Sequence, residues 1–403
     1  MSDRRRVLVF NHFAAPQGEA GGTRHVELFS RLGEPWEYLI IASDLNPQTG
    51  SRIDSSPGFL VVPVPEYASN GPRRVLNWLA YALRAFSLGC RQRDVSVVYG
   101  SSPHLFAAFA AWCISVLKRC PFVLEVRDMW PEILAEMGTL GRKSPIFVGL
   151  SALERFLYER ASRIVVLAQG TEDQLVQRGI PKEKIAYVPN GPDPEDFTPS
   201  LSRSELRERF GFNRFTAVYA GAHGPANGLD FALDAAGELA GSEIDIVLVG
   251  GGIEKGRLME RAESEALDHV RFLEPVPKSS VPDLLAAADI GLHVLADVPL
   301  FHTSVSPNKV FDYMAAGLPV ITNVPGVVST LVETTGAGIA VPPHGIARGL
   351  RQAFSQTQAE LLSQGERGRT YIVSNQSRSK MAARLADLLL CEIRRRQGRS
   401  AAA

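Results

Sequence analysis

The feature that most constrains the fold is a strand–helix alternation that runs through the first half of the chain and then starts again. Short apolar runs typical of buried parallel strands are separated by helical patterns in both halves. In the first half these runs are Arg6–Phe10, Glu37–Ile41, Phe59–Val64, Val95–Tyr99, Phe122–Val126 and Ile164–Leu167. In the second half they are Thr216–Ala220, Ile244–Val249, Val270–Leu273, Ile290–Leu295, Pro319–Thr322 and Ile339–Val341. We therefore predict an α/β protein with two Rossmann-like, doubly wound domains.

A segment dense in turn-forming residues, 188–194, separates the two series. A chain of 403 residues is also longer than one hydrophobic core usually supports, which favours two domains. We place the first domain at residues 1–192 and the second at residues 193–370, followed by a polar helical tail at residues 371–403. Ligands of such domains bind beyond the carboxyl ends of the strands, so we expect the functional site there.

The composition excludes several classes of protein. Because 43 basic residues balance 43 acidic ones, the chain has no global signature of nucleic-acid binding. The four cysteines have neither C-x-x-C spacing nor neighbouring histidine pairs, which indicates reduced thiols in a cytoplasmic protein without a metal site. The basic start is followed by a strand too short for a secretory signal. The longest largely apolar run, residues 105–117, is too short to cross a bilayer as a helix.

The segment of residues 306–321 carries the strongest indication of a ligand. It begins Ser306-Pro307-Asn308-Lys309-Val310-Phe311-Asp312 and continues into a helical pattern that breaks at Gly317. Free backbone N–H groups at a helix start, together with a lysine, form a site for a phosphate or diphosphate. An acid one turn further along can accept hydrogen bonds from ribose hydroxyls. The alternative is a helix start that only packs between two strands.

This layout resembles the donor-binding segment of family 4 retaining glycosyltransferases with the GT-B fold, in particular of the WbuB-like bacterial type. The resemblance implies two Rossmann-like domains facing a central cleft, with the C-terminal helix crossing back to the N-terminal domain. It also implies a nucleotide-sugar donor, with a UDP-sugar as the first expectation, that serves as co-substrate without a bound cofactor or metal. The absence of an Asp-x-Asp motif agrees with this expectation. Transfer to a lipid-linked, saccharide or natural-product acceptor would retain the anomeric configuration.

The resemblance assigns the donor to several glycine-containing loops and to the segment described above. The donor-binding residues that it implies are Gly21, Gly22, Gly221, His223, Asn227, Gly250, Gly251, Glu274, Pro275, Val276, Ser306, Pro307, Asn308, Val310 and Asp312. Lys309 is assigned a catalytic role, because its charge would stabilise the leaving diphosphate. The chain departs from the family in two places: the loop at Gly221 lacks the usual arginine and lysine, and Ser304 replaces the first acid of the family's Glu-x7-Glu motif.

Three glycines suggest a different function. Gly250, Gly252 and Gly256, with Glu274 about twenty residues further on, resemble a dinucleotide-binding fingerprint, although the gap before Gly256 does not fit the usual spacing. An NAD(P)-dependent oxidoreductase is therefore one alternative. A second is a nucleotide-sugar epimerase of the same architecture, which would release a changed sugar without an acceptor. A third is a non-catalytic binding protein.

A charged and aromatic cluster follows the strand at residues 122–126, at the end where α/β domains bind ligands. The resemblance places Asp128 as a catalytic residue near the transferring sugar or the acceptor hydroxyl. Arg127 and Trp130 would then bind the acceptor. His104 is a further acceptor-binding candidate, although its position also suits a helix start. The alternative for Asp128 is a surface pair with Arg127 that caps a helix.

Residues 67–93 contain several arginines and no acidic residue. Apolar side chains at helical spacing form one stripe in this segment: Val75, Leu76, Leu79, Ala82, Leu83 and Phe86. One hypothesis is that residues 73–93 contact an anionic membrane peripherally, on the inner face of the plasma membrane, which would suit a polyprenyl-linked acceptor. The alternative is that the stripe packs on the N-terminal sheet.

Overall fold

The computed structural model describes residues 4–17, 19, 23–46, 49–67, 71–102, 104–136, 138–306 and 308–401. The chain divides into two compact units. Unit 1 consists of residues 1–189 together with residues 378–403, and unit 2 consists of residues 190–377. The C-terminal helix therefore belongs to unit 1, although the whole of unit 2 precedes it in the sequence.

Unit 1 is built on a seven-stranded parallel sheet of order β3-β2-β1-β4-β5-β6-β7. Its strands are β1 (Arg5–Phe10), β2 (Trp36–Ser43), β3 (Phe59–Val62), β4 (Val95–Ser101), β5 (Phe122–Val126), β6 (Arg163–Val166) and β7 (Ile185–Tyr187). Its helices are α1 (Arg24–Phe29), α2 (Pro72–Arg91), α3 (Leu105–Lys118), α4 (Glu132–Glu136), α5 (Pro145–Arg160), α6 (Gln169–Gln177) and α16 (Arg378–Ala401).

Helices α1 and α16 cover one face of this sheet. Met381, Leu385 and Leu389 of α16 are buried in one cluster with alternate residues of the strands, such as Val7 and Val9. Two ion pairs fasten α16 at its ends. Arg378 lies 2.8 Å from Glu27 of α1, and Arg163 of β6 lies 2.7 Å from Glu392. Helices α2 and α5 each pack against α3, which lies on the sheet.

Unit 2 is built on a six-stranded parallel sheet of order β10-β9-β8-β11-β12-β13. Its strands are β8 (Phe215–Ala220), β9 (Ile244–Val249), β10 (Val270–Leu273), β11 (Ile290–His293), β12 (Val320–Thr322) and β13 (Gly338–Ala340). Its helices are α7 (Arg203–Phe210), α8 (Asp230–Glu238), α9 (Lys255–Ser264), α10 (Val281–Ala287), α11 (Pro299–Ser304), α12 (Asn308–Ala315), α13 (Val327–Thr335), α14 (Ile346–Phe354) and α15 (Gln358–Tyr371). Two apolar clusters, one on each face, bury the strands between these helices.

The predicted fold class is confirmed, because each unit is a doubly wound parallel sheet. All twelve predicted strands form, with bounds that differ by at most two residues, and β7 is the strand that the pattern missed. Only three residues long, β7 follows a polar turn and has one fully buried side chain, so it leaves little periodic signal. No helix in the described part of the chain is long and apolar enough to cross a membrane.

Candidate active site

In unit 2 the strand order changes direction between β8 and β11, which lie side by side in the sheet. Doubly wound sheets bind ligands beyond the carboxyl ends of the strands at this point. Residues 221–228 follow β8, and residues 294–298 follow β11. The two loops are in contact, because the Ala296 N–H donates to the Ala226 carbonyl at 3.0 Å.

Lys309, in the first turn of α12, reaches into this region. Its Nζ donates to Asn227 Oδ1 at 3.2 Å and lies 5.0 Å from the centre of the Tyr219 ring. A side chain at Gly221, where φ is +157°, would collide with the Lys309 stem, so this position requires glycine. Burial lowers the pKa of Lys309 to about 8, against the opposing effect of Asp312. The structure thus places a partly desolvated ammonium group beside the backbone of Gly221, which has no side chain.

Tyr313 fixes the helix that carries Lys309, and His293 lies near the Lys309 charge. The Ala220 N–H donates to the Tyr313 hydroxyl at 2.9 Å, and that hydroxyl lies 3.3 Å from the Leu292 carbonyl. His293 ends β11, and its Nδ1 lies 2.9 Å from Thr322 Oγ1. Burial, reinforced by the Lys309 charge, lowers the pKa of His293 to about 3, so the imidazole is neutral. The sequence analysis missed both residues, although a histidine at the end of an apolar strand is a usable signal.

The other residues predicted at this helix start have different surroundings. Asn308 is exposed and Asp312 is partly buried beside Lys309, whereas the Val310 side chain is fully buried in the core. Only the backbone of Val310 is therefore available to a ligand. The Ser306 hydroxyl is buried and has no hydrogen-bond partner in the part of the chain that the structure describes. Pro307 lies outside the described residues.

The glycine turn after β9 packs against the loop that contains His223. The His223 N–H donates to the Gly251 carbonyl at 2.8 Å. At Gly250 and Gly252, with φ of +144° and +152°, an added side chain would collide with backbone carbonyls of that loop. These two glycines are therefore explained by close packing between loops. The region around Gly256 is open, so nothing in the structure requires glycine at the third position of the fingerprint.

The His223 side chain differs from its predicted role in donor binding. It is inaccessible to solvent beneath the glycine turn, and neither ring nitrogen has a hydrogen-bond partner among the described residues. Burial lowers the pKa of His223, and the charges of Lys255 and Lys309 lower it further. The neutral imidazole is therefore enclosed beside Gly250. The sequence pattern could not show this, because the loop is short and polar.

The segment after β10, where residues 274–276 are predicted to bind the donor, has side chains with different surroundings. Glu274 is 86% exposed in its side chain and is paired with Lys255 at 2.7 Å. Pro275 is exposed and adjoins the glycine turn, while Val276 packs against the core. An exposed, ion-paired Glu274 and an unconstrained Gly256 remove the two observations that favoured a dinucleotide-binding oxidoreductase.

In unit 1 the predicted acceptor residues lie at the carboxyl end of β5. Although Asp128 is exposed as a residue, the surrounding protein partly desolvates its carboxyl group and raises its pKa, against the opposing charge of Arg127. The Arg127 N–H donates to Ser102 Oγ at 3.1 Å. Trp130 is 8% exposed and packs edge-to-face on Trp78, with ring centres 5.4 Å apart. Trp130 therefore forms a wall behind Asp128 rather than an open stacking surface.

His104 is buried, contrary to its predicted role in acceptor binding. Its Nδ1 accepts a hydrogen bond from the Ala107 N–H at 3.3 Å and caps α3. Its Nε2 then carries the proton and donates to His12 Nδ1 at 2.6 Å. Burial lowers the pKa of both imidazoles, that of His12 to about 3, so the pair is neutral. His104 therefore caps α3, which agrees with the alternative that its position marks a helix start.

A buried carboxylate, Glu125, was missed. It stands in the otherwise apolar strand β5, and that single charge was the available signal. Its oxygens accept hydrogen bonds from the Tyr99 hydroxyl at 2.7 Å and from the Arg24 guanidinium at 3.1 Å, and they lie 2.9 Å from His25 Nε2. Burial would raise the pKa of Glu125, but Arg24 and His25 outweigh it and hold the pKa well below its usual value. Arg24 also donates to the carbonyls of residues 188 and 189, the last of this stretch of unit 1.

Two predicted donor residues, Gly21 and Gly22, lie outside the described residues. Across the described ranges no group of three or more His, Cys, Asp or Glu side chains is arranged to hold a metal ion. The structure thus brings together Gly221, Asn227, Lys309 and Asp312 in unit 2. In unit 1 it places Arg127, Asp128 and Trp130 on one segment.

Comparison with known proteins identifies the class to which this arrangement belongs. The family model for a glycosyl transferase 4-like domain matches residues 17–191, and that for glycosyl transferases group 1 matches residues 214–357. The putative colanic acid biosynthesis glycosyl transferase WcaI of Escherichia coli is 22% identical over 296 residues, 70% of this chain and 72% of WcaI. The probable glycosyltransferase WbjE of Pseudomonas aeruginosa is 24% identical over 289 residues, 68% of this chain and 70% of WbjE.

Solved structures show the same fold at low sequence identity. Sucrose-phosphate synthase from Thermosynechococcus elongatus matches with a TM-score of 0.77 and 16% identity, over 96% of this chain and 98% of that chain. Anabaena HepE, solved in complex with UDP and glucose, matches with a TM-score of 0.71 and 17% identity, over 96% of this chain and 99% of that chain. The two family models together extend over most of both units, and the fold agrees with them. The chain belongs to the family 4 glycosyltransferases of the GT-B fold.

Proposed function

We propose that this glycosyltransferase takes its sugar from a nucleotide-sugar donor, a UDP-sugar in the first instance, and that unit 2 binds the nucleotide. The proposal rests on the position of Lys309, which lies at the start of α12 and packs against the backbone of Gly221. A helix N-terminus and a desolvated ammonium group together favour a diphosphate. The HepE structure, which contains UDP and glucose, has the same fold and supports this choice.

In this proposal Lys309 stabilises the negative charge that develops on the leaving diphosphate. Breaking a sugar–phosphate bond leaves charge on the phosphate oxygens and an oxocarbenium-like sugar, so a preorganised cation lowers the barrier. Asp312, one turn further into the helix, accepts hydrogen bonds from the ribose. The backbone of Ser306 to Val310 and the Asn227 amide complete the donor site. The donor acts as co-substrate, and we propose no bound cofactor or metal.

The stereochemistry and the acceptor follow from the family resemblance and are proposals as well. We propose transfer with retention of the anomeric configuration, in which the leaving phosphate accepts the proton of the acceptor hydroxyl. Asp128, exposed at the end of β5, is placed near the transferring sugar or that hydroxyl, with Arg127 and Trp130 beside it. The acceptor is a lipid-linked saccharide, a free saccharide or a natural product. The description of WcaI, which refers to colanic acid biosynthesis, favours a polysaccharide pathway, and the WbuB-like type remains a prediction.

Helix α2 supports a further part of the proposal, peripheral contact with an anionic membrane. Its inner side chains, such as Trp78 and Tyr81, pack inward, and the Tyr81 hydroxyl donates to the Ile41 carbonyl at 2.6 Å. Four residues of the predicted apolar stripe face outward, with exposures between 40% and 72%: Val75, Leu76, Leu79 and Leu83. Ala82 and Phe86 are partly buried, so most but not all of the stripe is free of the sheet. Exposed leucines beside arginines suit a lipid surface of negative charge, and hence the inner face of the plasma membrane.

A ligand screen tests the proposed donor. We expect UDP and UDP-sugars to raise the melting temperature of the protein, because a ligand that binds only the native state stabilises it. NAD and NADP should leave the melting temperature unchanged. Stabilisation by a nicotinamide nucleotide, with none by any nucleoside diphosphate, would contradict the proposed donor. Incubation with the stabilising UDP-sugar and chromatography of the sugar then distinguishes transfer from epimerisation, since an epimerase converts the donor without an acceptor.

A further inference from the structure

Unit 1 contains a cavity that lies away from the strand ends carrying Asp128 and Trp130. It has a volume of about 570 Å³ and adjoins Phe122 and Ser162, where β5 and β6 begin. Its walls come from the last turns of α3 and α5 and from the C-terminal part of α16. This volume lies within the range of small-molecule sites. The proposed transfer reaction gives the cavity no role.

One wall of the cavity is apolar and continues to the protein surface. Trp112 packs edge-to-face on Phe156, with ring centres 4.7 Å apart, and lies 5.5 Å from the Phe109 ring. Val116 lines the cavity and is 56% exposed, and Phe109 is 39% exposed. An aromatic and aliphatic surface therefore leads from the cavity along α3 to solvent. Such a surface suits a hydrocarbon chain or another apolar body.

The other wall is positively charged. Its cationic residues are Arg160, Lys184, Arg395 and Arg396. The two carboxylates in the lining already have cationic partners. Glu159 lies 2.9 Å from Arg155, which is outside the cavity, and Glu392 lies 2.7 Å from Arg163. The carboxylates therefore do not neutralise most of the positive charge at the cavity.

Three of these cations form no ion pair with any described residue: Arg160, Lys184 and Arg396. Arg160 lies over the Phe156 ring at 5.4 Å, and Lys184 donates only to the Glu159 carbonyl, at 2.8 Å. Desolvation lowers the pKa of Lys184 and outweighs the opposing charge of Glu159, so the Lys184 charge is only partly compensated. An anion at the cavity would supply the ion pair that these three cations lack among the described residues.

We propose that this cavity binds an amphiphile with a phosphate or comparable anionic head group. Arg160, Lys184 and Arg396 hold the head group, and the apolar body lies on Trp112 and Val116. Charge complementarity and the continuous apolar wall identify this class of ligand, and neither depends on the proposed donor site. Because Arg396 is on α16, occupation of the cavity also stabilises the packing of that helix.

Isothermal titration with dodecyl phosphate, below its critical micelle concentration, tests the proposal. We expect the wild-type protein to bind dodecyl phosphate at least ten times more tightly than dodecanol or inorganic phosphate. Dodecanol lacks the anionic head group, and inorganic phosphate lacks the apolar chain. The double variant Arg160→Ala/Arg396→Ala should bind at least ten times more weakly than wild type. Arg394→Ala is the matched control: it removes an exposed cation of α16 outside the cavity and should change the affinity less than twofold.

Cys120 provides a second measurement that needs no variant. It lines the cavity, and burial raises the pKa of its thiol to about 11, so it alkylates slowly. Bound dodecyl phosphate should slow the alkylation of Cys120 at pH 9 at least fivefold, whereas the exposed Cys391 should react at an unchanged rate. Peptide mass mapping measures both rates. Equal affinity of wild type and the double variant, or alkylation of Cys120 at the same rate with ligand bound, would overturn the proposal.

Discussion

The buried position of the Lys309 side chain affects the charge of its ammonium group. The Asn227 amide and the Tyr219 ring hold its ammonium group, and the helix that carries it is fixed through Tyr313. The same partial burial lowers its pKa to about 8, so its charge is costly without a ligand. A diphosphate beside Lys309 would restore the missing favourable interaction, and the structure therefore favours an anionic ligand at this residue.

The pKa of Lys309 predicts an alkaline limit to activity. The proposed mechanism needs the protonated form, so kcat/KM for the donor should fall about tenfold per pH unit above pH 8. In the profile of kcat the fall should begin at higher pH, because the bound diphosphate raises the pKa of Lys309. Lys309→Arg is the matched control, since a guanidinium stays charged and should abolish the alkaline fall even if turnover is reduced. An unchanged alkaline fall in this variant would show that another group titrates.

Glu125 is expected to matter for stability rather than for catalysis. Glu125→Gln leaves Arg24 buried without its counter-charge, and we expect a loss of about 3–5 kcal/mol in the free energy of unfolding. Glu159→Gln, at an exposed ion pair, should cost less than about 1 kcal/mol. Urea denaturation monitored by circular dichroism measures both. A loss below about 1 kcal/mol for Glu125→Gln would mean that the buried network is not stabilising.

The lowered pKa of Glu125 predicts that the stability of the folded protein depends on pH. Because the pKa of Glu125 is held well below its usual value in the folded state, its contribution is present above the unfolded pKa of about 4.3. It is lost as the pH falls through the lower, folded-state pKa. The destabilisation caused by Glu125→Gln should therefore shrink when unfolding is measured at progressively more acidic pH.

At the scale of elements, the glycine turn between β9 and α9 joins the loop after β8 to the rest of unit 2. Gly250→Ala should lower the free energy of unfolding by more than about 2 kcal/mol, because the new side chain meets the Gly221 carbonyl at a positive φ. Gly256 lies in α9 with open space around it, so Gly256→Ala should raise the free energy of unfolding by up to about 1 kcal/mol. Thermal or urea unfolding of the pair checks both signs. A destabilising Gly256→Ala would show that the fold requires glycine at this position after all.

Helix α2 gives a test of membrane contact at the same scale. The double variant Leu76→Ser/Leu83→Ser removes two of its most exposed leucines and should reduce co-sedimentation with vesicles containing anionic phospholipid at least fivefold. Leu362→Ser, at a similarly exposed leucine in unit 2, should have no effect. Binding should weaken at high salt, because the arginines of α2 contribute electrostatic attraction. Absence of salt-sensitive binding by the wild-type protein would refute the proposed contact.

At the scale of the whole molecule, the alternation of strands and helices follows from features that the sequence displays directly. Strands buried on both faces read as continuous apolar runs, and twelve of them could be located from that pattern. The helix that carries Lys309 forms as predicted, whereas its role in donor binding stays a prediction. The family resemblance then supplied the GT-B architecture, which the comparisons confirm.

What the sequence did not show depends on contacts between distant residues. His104 and His223 were interpreted as ligand-binding because both lie in segments that follow a strand, but packing against His12 and beneath the glycine turn buries them. The ion pair between Glu274 and Lys255 likewise joins residues that are far apart in the sequence. The stripe on α2 had the period of a buried face, yet the larger side chains of the opposite face point inward. Periodicity shows that a helix has an apolar side, but not which side the sheet covers.

The most direct test of the central claim is the affinity of UDP for the wild-type protein and for Lys309→Ala, measured by isothermal titration. We predict saturable binding to wild type and at least a tenfold loss in Lys309→Ala, with the affinity unchanged in Lys278→Ala at an exposed lysine of the same unit. Circular dichroism confirms that each variant is folded. Equal affinity of wild type and Lys309→Ala would contradict the assignment of the leaving-group charge to Lys309, and absence of UDP binding to wild type would contradict the proposed donor.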